Sequence, residues 1–321
     1  MDQVKQNEMQ VERAITNPTT SPMSVITLEE LRNRRIVTTP LDVPLYSTLR
    51  GRARRVGQIN HEWNEATLSA SFTASKYSNG TISGLTGGAS TPTRKNNHVM
   101  QVGAIAKVSG IVGATTVTGD NGGGAMEIEL NDKYNHLVRS IEYFLWNGVY
   151  ATAQDEMDGI ATLVTTAVDN SAGGGSPVVL DINSVDLAIA QMADAGLTPT
   201  ALYCDYIVAQ RISKFASDRV TYQNTTEAMN GVGSRAFMYA SPFGFTVQVK
   251  PIRSTFLPAD SAYLLDETKI NLVYMGDAVE MSEPLAKTDD GDSVLLKSYV
   301  GLEVINASAH RVLTNVDNVL A

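Results

Sequence analysis

Apolar positions along this chain change their period several times, and each change marks an element. From Met1 to about Asn60 no apolar period persists. One short helix is signalled there, with Thr27 as N-cap, Glu30 three residues on and Leu28 and Leu31 inside, between extended segments marked by Pro18, Pro22, Pro40 and Pro44. With no core of its own, this stretch is expected to be an arm ordered by what it lies on. Two runs then alternate with period two, Trp63 to Tyr77 (Leu68, Ala70, Phe72, Ala74) and His98 to Val108 (Met100, Val102, Ala104), around a Gly/Ser/Thr-rich tip from Ser78 to Asn97. Strands of that kind span roughly 50–60 Å at about 3.3 Å per residue. An isolated two-stranded ribbon is barely stable in water, so it is expected to fold back on its own body or lie across a neighbour.

After Gly122-Gly123-Gly124 the period becomes 3.6: Leu130, Tyr134, Leu137, Val138, Ile141 and Leu145 share one face. Glu127, Glu129 and Asp132 lie in the early turns, where the helix dipole favours anions, and Gly148 is a stop signal. A helix over about 125–147 is expected, roughly 34 Å long. A second is expected over Asp155 to Val168, with a boundary at Gly173-Gly174-Gly175. The pattern then turns α/β: a helix over Asn183 to Ala195 closed by Gly196, a buried strand over Thr200 to Cys204, and a helix over Tyr206 to Ala216. Strands follow over Phe243 to Ile252, Ala262 to Leu265 and Ile270 to Tyr274, and a long final one over Ser293 to Ala307. No internal repeat is visible.

With 321 residues, 43% hydrophobic and 18% charged, the chain has material for about two domains with real cores. Its net charge of −9 is unevenly spread. Residues 1–55 carry nine Lys/Arg against six Asp/Glu, and the other 266 carry 16 against 28, so a basic arm precedes an acidic body. The cations gather at Arg32, Arg34 and Arg35 and again at Arg50, Arg52, Arg54 and Arg55, with only Asp42 opposing them. Such an arm reaches for something negative, either nucleic acid or an adjoining acidic subunit. The second cluster leads into the long loop, which favours subunit contacts, and a negative body would itself repel nucleic acid. The single cysteine, Cys204, excludes an internal disulfide and is consistent with a reducing compartment. The first twenty residues have no apolar core segment, and no run approaches the ~18 apolar residues that cross a bilayer, so neither secretion nor a membrane role is expected.

Candidate chemistry is sparse. His61, His98, His136 and His310 are scattered with no metal-ligand spacing. Gly122 to Gly124 lacks the lysine of a phosphate loop, and Gly231-Val232-Gly233 lacks the third glycine of a dinucleotide site. Asp289-Asp290-Gly291-Asp292 has no closing glutamate and reads as a tight acidic turn. No nucleophile motif is present, and Cys204 has no electropositive neighbour in sequence. No catalytic, cofactor or metal site is therefore expected. A hydrolase or transferase built on the α/β segment would need a concave pocket with perturbed titratable groups, which nothing in the sequence places.

Several phrases occur in an order that resembles one family. Glu62-Trp63-Asn64 with Leu68 enters the loop, Asn97 to Val102 (NHVMQV) leaves it and Val108-Ser109-Gly110 follows. Glu129 to Gly148 (ELNDKYNHLVRSIEYFLWNG) forms the helix. Farther on come Phe243-Gly244-Phe245 with Val247, Leu264-Leu265-Asp266, Leu285-Ala286-Lys287 with Gly291-Asp292, and Gly301-Leu302-Glu303-Val304, ending near Asn306-Ala307 and Ala309-His310. From about residue 60 to 312 the chain resembles the major capsid proteins of tailed bacteriophages, of the Hong Kong-phage-type fold shared with encapsulins. The resemblance implies an α+β fold with five parts. These are an N-terminal arm (1–60), a long β-hairpin extended loop (61–108), a peripheral domain with a spine helix (109–180), an inserted α/β axial domain (181–285), and a return strand with tail (286–321).

The same resemblance implies a non-enzymatic shell protein, assembled in the host cytoplasm as hexamers and pentamers into an icosahedral capsid around a double-stranded DNA genome. Arg50, Arg52, Arg54, Arg55, Trp63, Lys76 and Lys95 are then candidates for subunit contact. Implied partners are further copies of itself, scaffolding, portal and decoration proteins, and non-specific DNA at the inner wall; no long N-terminal helix that could act as a fused scaffold is signalled. An encapsulin-like compartment shell and a phage tail or adaptor protein are the alternatives.

Overall fold

The computed structural model describes residues 42–67, 91–114, 125–150, 155–171, 175–215, 220–224, 235–287 and 290–318. Along the chain run α1 (Pro44–Arg50), β1 (Arg54–Arg55), β2 (Asn60–Thr67), β3 (Thr91–His98), β4 (Met100–Ser109), α2 (Gly110–Ala114) and α3 (Ala125–Asn147). Then come α4 (Ile160–Leu163), β5 (Ala167–Asp169), α5 (Ile182–Asp194), β6 (Ala201–Asp205), α6 (Tyr206–Ile212), β7 (Val220–Asn224), β8 (Arg235–Ala240) and β9 (Thr246–Ile252). The last are β10 (Ala262–Leu265), β11 (Ile270–Tyr274), β12 (Met281–Pro284), β13 (Gly291–Val304) and β14 (Arg311–Thr314). The fold is α+β, as expected. Two units are present, a larger one from residues 41–103, 137–281 and 297–321, and a smaller one whose described residues fall in 104–136 and 282–296.

In the larger unit a seven-stranded mixed sheet has the order β5-β14-β10-β6-β9-β8-β7. Its centre, β6, is buried at all five positions because both faces are covered. Leu202 and Cys204 face a core that includes Val185, Ala188, Ile189 and Met192, the apolar stripe of α5 at helical spacing. Tyr203 points to the other face, where its ring meets Trp146 of α3 edge-on at 5.2 Å; Tyr263, its register partner on β10, lies 5.5 Å from the same indole. A second ladder runs β1-β11-β13, parallel and then antiparallel, with β12 and β4 also pairing β13. In the smaller unit Leu285 N–H bonds Ser293 O at 2.9 Å, and the Gly110 N–H bonds the Asp290 carbonyl at 2.5 Å. There Glu129 and Lys133 pair one turn apart on α3.

The spine-type helix covers Ala125–Asn147, and Leu137, Val138, Ile141 and Leu145 are buried as the periodicity required. Glu142 is buried on the same stripe and was not read as part of it. Its carboxyl accepts from Tyr46 N–H (2.7 Å), Leu45 N–H (3.3 Å) and Trp146 Nε1 (3.0 Å), so α3 caps the start of α1 and satisfies donors that a helix end leaves orphaned. Just beyond α3 the chain crosses itself: a Cβ at Gly148 would lie 2.3 Å from the Met157 carbonyl, and one at Gly159 2.8 Å from the Phe144 carbonyl.

Four expectations are corrected. The stretch before Asn60 does contribute to a core: Pro44 pre-sets the first turn of α1, and Leu45, Tyr46 and Leu49 are buried. The returning strand of the loop begins at Thr91 and not at His98, because its pairing with β2 is made by polar residues that show no apolar alternation. Asp155 to Val168 is not one helix: α4 is four residues long, and the β-branched run Val164 to Thr166 leads into β5, paired with β14. The final strand ends at Val304, and β7, β8 and β14 follow patterns too short or too polar to register. The helix signalled at Thr27 lies outside the described residues.

Two buried titratable groups give the larger unit opposing responses to pH. Burial pushes the Glu142 carboxyl up to about 7, its hydrogen bonds offsetting only part of that. Burial likewise pushes His310 down to about 4, its Nδ1 accepting from Asp266 N–H at 3.2 Å. The Glu142 contribution is complete below 4.5, its ordinary value, and is lost as pH rises through about 7; the His310 contribution is complete above 6.5 and is lost as pH falls through about 4. Each is worth up to about 3 kcal/mol. Relative to wild type, Glu142→Gln should melt lower near pH 5, toward the low end of its window where the contribution is nearly complete, than near pH 8. His310→Asn should melt higher, relative to wild type, near the acid end of this range than above neutrality. Thermal melts followed by circular dichroism across the range check both, and differences independent of pH would refute the assignment.

Candidate assembly surfaces

The arginines that precede the loop are largely spent on their own chain. Arg50 ends α1 and grips Glu280 twice at 2.8 Å, Nε to Oε1 and Nη2 to Oε2, while the Tyr46 hydroxyl donates to the same carboxylate. Burial alone would raise the Glu280 carboxyl, but the Arg50 and Tyr46 hydrogen bonds outweigh it and hold it below the ordinary carboxylate range. Arg52 donates to the Glu267 carbonyl at 2.5 Å. Arg55 reaches Asp277 at 3.5 Å with both groups exposed, a contact of little energy. Arg54, opposite Val273 in the β1–β11 register, is exposed and has no side-chain partner among the described residues.

The loop forms a separate two-stranded sheet, β2 antiparallel to β3, running from the Asn60–His98 pair to the Thr67–Thr91 pair. Trp63 stands opposite Lys95, stacks on His61 with ring centroids 5.5 Å apart, and donates from Nε1 to Glu65 at 2.9 Å. Alternate residues carry the other face: Arg94 pairs with Glu62, and Asn96 donates to Asn60 at 3.2 Å. Lys95 is exposed. Lys76 lies outside the described residues. The ribbon is fastened to the rest of the larger unit at its root by His61 Nε2 on Glu303 (2.8 Å) and by the buried Asn97, and farther out along β2 by Asn306 N–H on Glu65 (2.9 Å). Asn97, Glu303 and Glu142 all lie within the phrases that carry the family resemblance, but the sequence assigns none of them a role. For Glu142 the signal was present, since it shares a face with Val138, Ile141 and Leu145.

Behind α1 a second polar cluster joins the sheet. Tyr203 donates to Glu267 at 2.5 Å, and Lys250 donates to Glu267 at 2.7 Å and to Thr48 at 3.1 Å while lying 5.6 Å from the Tyr203 ring centroid. Every charged or hydroxyl group in it has a partner, so it holds elements together and presents no reactive atom.

Among the described residues nothing assembles into a reaction centre. Burial pushes the thiol of Cys204, which is fully buried, far up, so a nucleophilic thiolate is not available. His98 packs on Tyr150 at 5.0 Å and His310 is interior. No group of three or more His, Cys, Asp or Glu among the described residues could hold a metal ion. Asp292 pairs with Lys287 at 2.6 Å, both exposed; Asp289, Gly122 to Gly124 and Gly231 to Gly233 lie outside the described residues. A cleft of about 620 Å³ lies among Ile59, His98, Val99, Gln101, Asp155, Met275 and Tyr299, and none of the strongly perturbed groups lines it. No helix among the described residues is long and apolar enough to cross a membrane.

Comparison with known proteins agrees with an architecture made for contacts. The chain is similar to the cyanophage A-1(L) capsid protein, with a TM-score of 0.63 at 12% identity over 93% of this chain and 99% of that one. It is similar to a chain of the holo-SrpI encapsulin complex from Synechococcus elongatus PCC 7942 (TM-score 0.60, 12% identity, 92% and 94% covered). A chain of Mycobacterium phage Adephagia is also similar (TM-score 0.54, 14% identity, 94% and 99% covered). No curated protein matches the sequence. At these identities the likenesses establish the fold, and they place phage and encapsulin shells on it together. The model of the family described as SU10 major capsid protein matches residues 10–317, nearly the whole chain, and the protein belongs to that family of shell-forming structural proteins.

Proposed function

We propose that this protein closes, in many copies, into the icosahedral capsid of a bacteriophage around a double-stranded DNA genome. The family match carries the reading, and one observation ties it to this chain's geometry. Among the described residues the β2–β3 ribbon pairs with no other strand, and a ribbon of that kind needs a surface to lie on. A neighbouring subunit supplies that surface. Assembly by such ribbons spreads binding over many extended contacts, and closed symmetry then turns pairwise contacts into a shell of hexamers and pentamers.

In this account the arm is residues 1–60, the extended loop 61–108, the peripheral domain 109–180, the axial domain 181–285 and the return strand with tail 286–321. The protein acts without catalysis. Arg54 and Lys95, exposed on the approach to and the return from the loop, are the cations best placed to meet the acidic body of an adjoining copy, with Trp63 beside Lys95. Arg50, Arg52 and Arg55 join them where the assembled contact competes for their intrachain partners, and Lys76, outside the described residues, completes the set. Assembly takes place in the host cytoplasm, with scaffolding, portal and decoration proteins as further partners and DNA touching the inner wall without sequence preference. A compartment shell with cellular cargo shares the fold; the phage family match favours the capsid.

In one test residues 78–90, the Gly/Ser/Thr-rich segment between the paired strands, are replaced by a short Gly/Ser turn, which spares the β2–β3 pairing. Sedimentation should then show soluble monomers or capsomers in place of closed particles. Particles of normal sedimentation from this variant would refute the crossing loop. A second test is charge reversal: Arg54→Glu with Lys95→Glu should reduce particle yield about tenfold or more if both face an acidic neighbour, and high salt should weaken wild-type assembly in the same direction. Unchanged yield would remove these two residues from the contact.

A further inference from the structure

Asn97, the penultimate residue of β3, is 4% exposed. Its hydrogen-bonding capacity is fully used: Nδ2 donates to the carbonyls of Asp158 (2.9 Å) and Leu302 (2.7 Å), and Oδ1 accepts from the N–H groups of His98 (2.8 Å) and Asp158 (2.9 Å). One side chain thus ties the returning strand of the ribbon to β13 and to the segment that precedes α4. On the outgoing strand, His61 meets one oxygen of Glu303 of β13, whose other oxygen accepts from Asn271 (3.2 Å), and Glu65 accepts from the N–H of Asn306, a residue at φ 55. Gly301 lets the ribbon root lie close to β13: a Cβ there would be 3.1 Å from the His98 carbonyl and 3.2 Å from Val99.

The returning strand is therefore anchored at the root by the buried Asn97, and the outgoing strand at the root by His61 on the buried Glu303 and again farther out by Glu65, groups that a pivot of the ribbon would strip of their partners. The lever is long enough for this to matter. Eight paired residues extend about 26 Å, so a tilt of roughly ten degrees displaces the outer end by about 5 Å, more than the reach of a van der Waals contact. Loose roots would let each copy meet its neighbour at a different angle.

We propose that Asn97 is a positioning residue for assembly: it fixes the direction in which the ribbon leaves the body, and that direction selects the angle between adjoining copies of the chain and so the diameter of the closed particle. This inference rests on the shell reading above. Its test uses the full chain as wild type, Asn97→Ala and Glu65→Ala, the last loosening β2 at a half-buried site. Two quantities are read: amide hydrogen exchange of the unassembled subunit, and particle diameter by electron microscopy. In Asn97→Ala, exchange over residues 60–67 and 91–98 should rise about tenfold while β6 and β10 keep their protection, and particles should spread in diameter or remain as open sheets. Glu65→Ala should do the same to a smaller degree. Uniform particles of wild-type diameter from the folded variants, or unaltered exchange at the ribbon root, overturn the proposal. If Asn97→Ala does not fold, uniform wild-type particles from Glu65→Ala overturn it alone. Wild-type chain that forms no particles overturns the shell reading instead.

Discussion

A two-stranded ribbon has no interior, so everything that orients it must come from outside it. In this chain the outside support is polar, buried at Asn97 and Glu303 and half-buried at Glu65. Asn97 is satisfied on all sides, Glu303 is shared between His61 and Asn271, and the N–H of Asn306 is aimed at Glu65. Apolar contacts would tolerate sliding, because dispersion is non-directional; hydrogen bonds in a dry site do not. The body therefore serves as a fixed mount for its ribbon, and the rest of the fold can be understood as what makes the mount stiff.

Stiffness comes from the way α3 is used. Its buried half carries Trp146 against Tyr203 and Tyr263 of the sheet, and Glu142 against the start of α1. α1 in turn is pinned through Thr48 to Lys250 and through Arg50 to Glu280. Helix, sheet and the segment leading to the ribbon thus share one set of contacts. A carboxyl raised to about 7 in that set is a cost the fold carries for directional bonding to α1.

Much of this was legible where periodicity was strong. α3, the α5 stripe, β10 and β11 follow from apolar spacing alone, because each buries a regular face. The signal failed where polar residues do the structural task. β3 is built of Thr, Pro, Arg, Lys and Asn and gains its conformation from pairing, and α1 gains its from Glu142, nearly a hundred residues away in sequence (separations of 96 and 97). The basic segment shows the same limit. Counting charges suggested a surface that reaches outward, yet three of its arginines have partners in their own chain. A sequence displays which charges exist and hides which already have partners.

The account is tested most directly by a cryo-electron microscopy reconstruction of the particles formed when the full chain is expressed with its natural partners. It predicts closed shells of five- and six-fold capsomers, in which the ribbon density leaves its own body at the Asn97 root and runs across the adjoining subunit. A ribbon folded back onto its own body, or a protein that stays a discrete monomer or dimer under every condition, would contradict it.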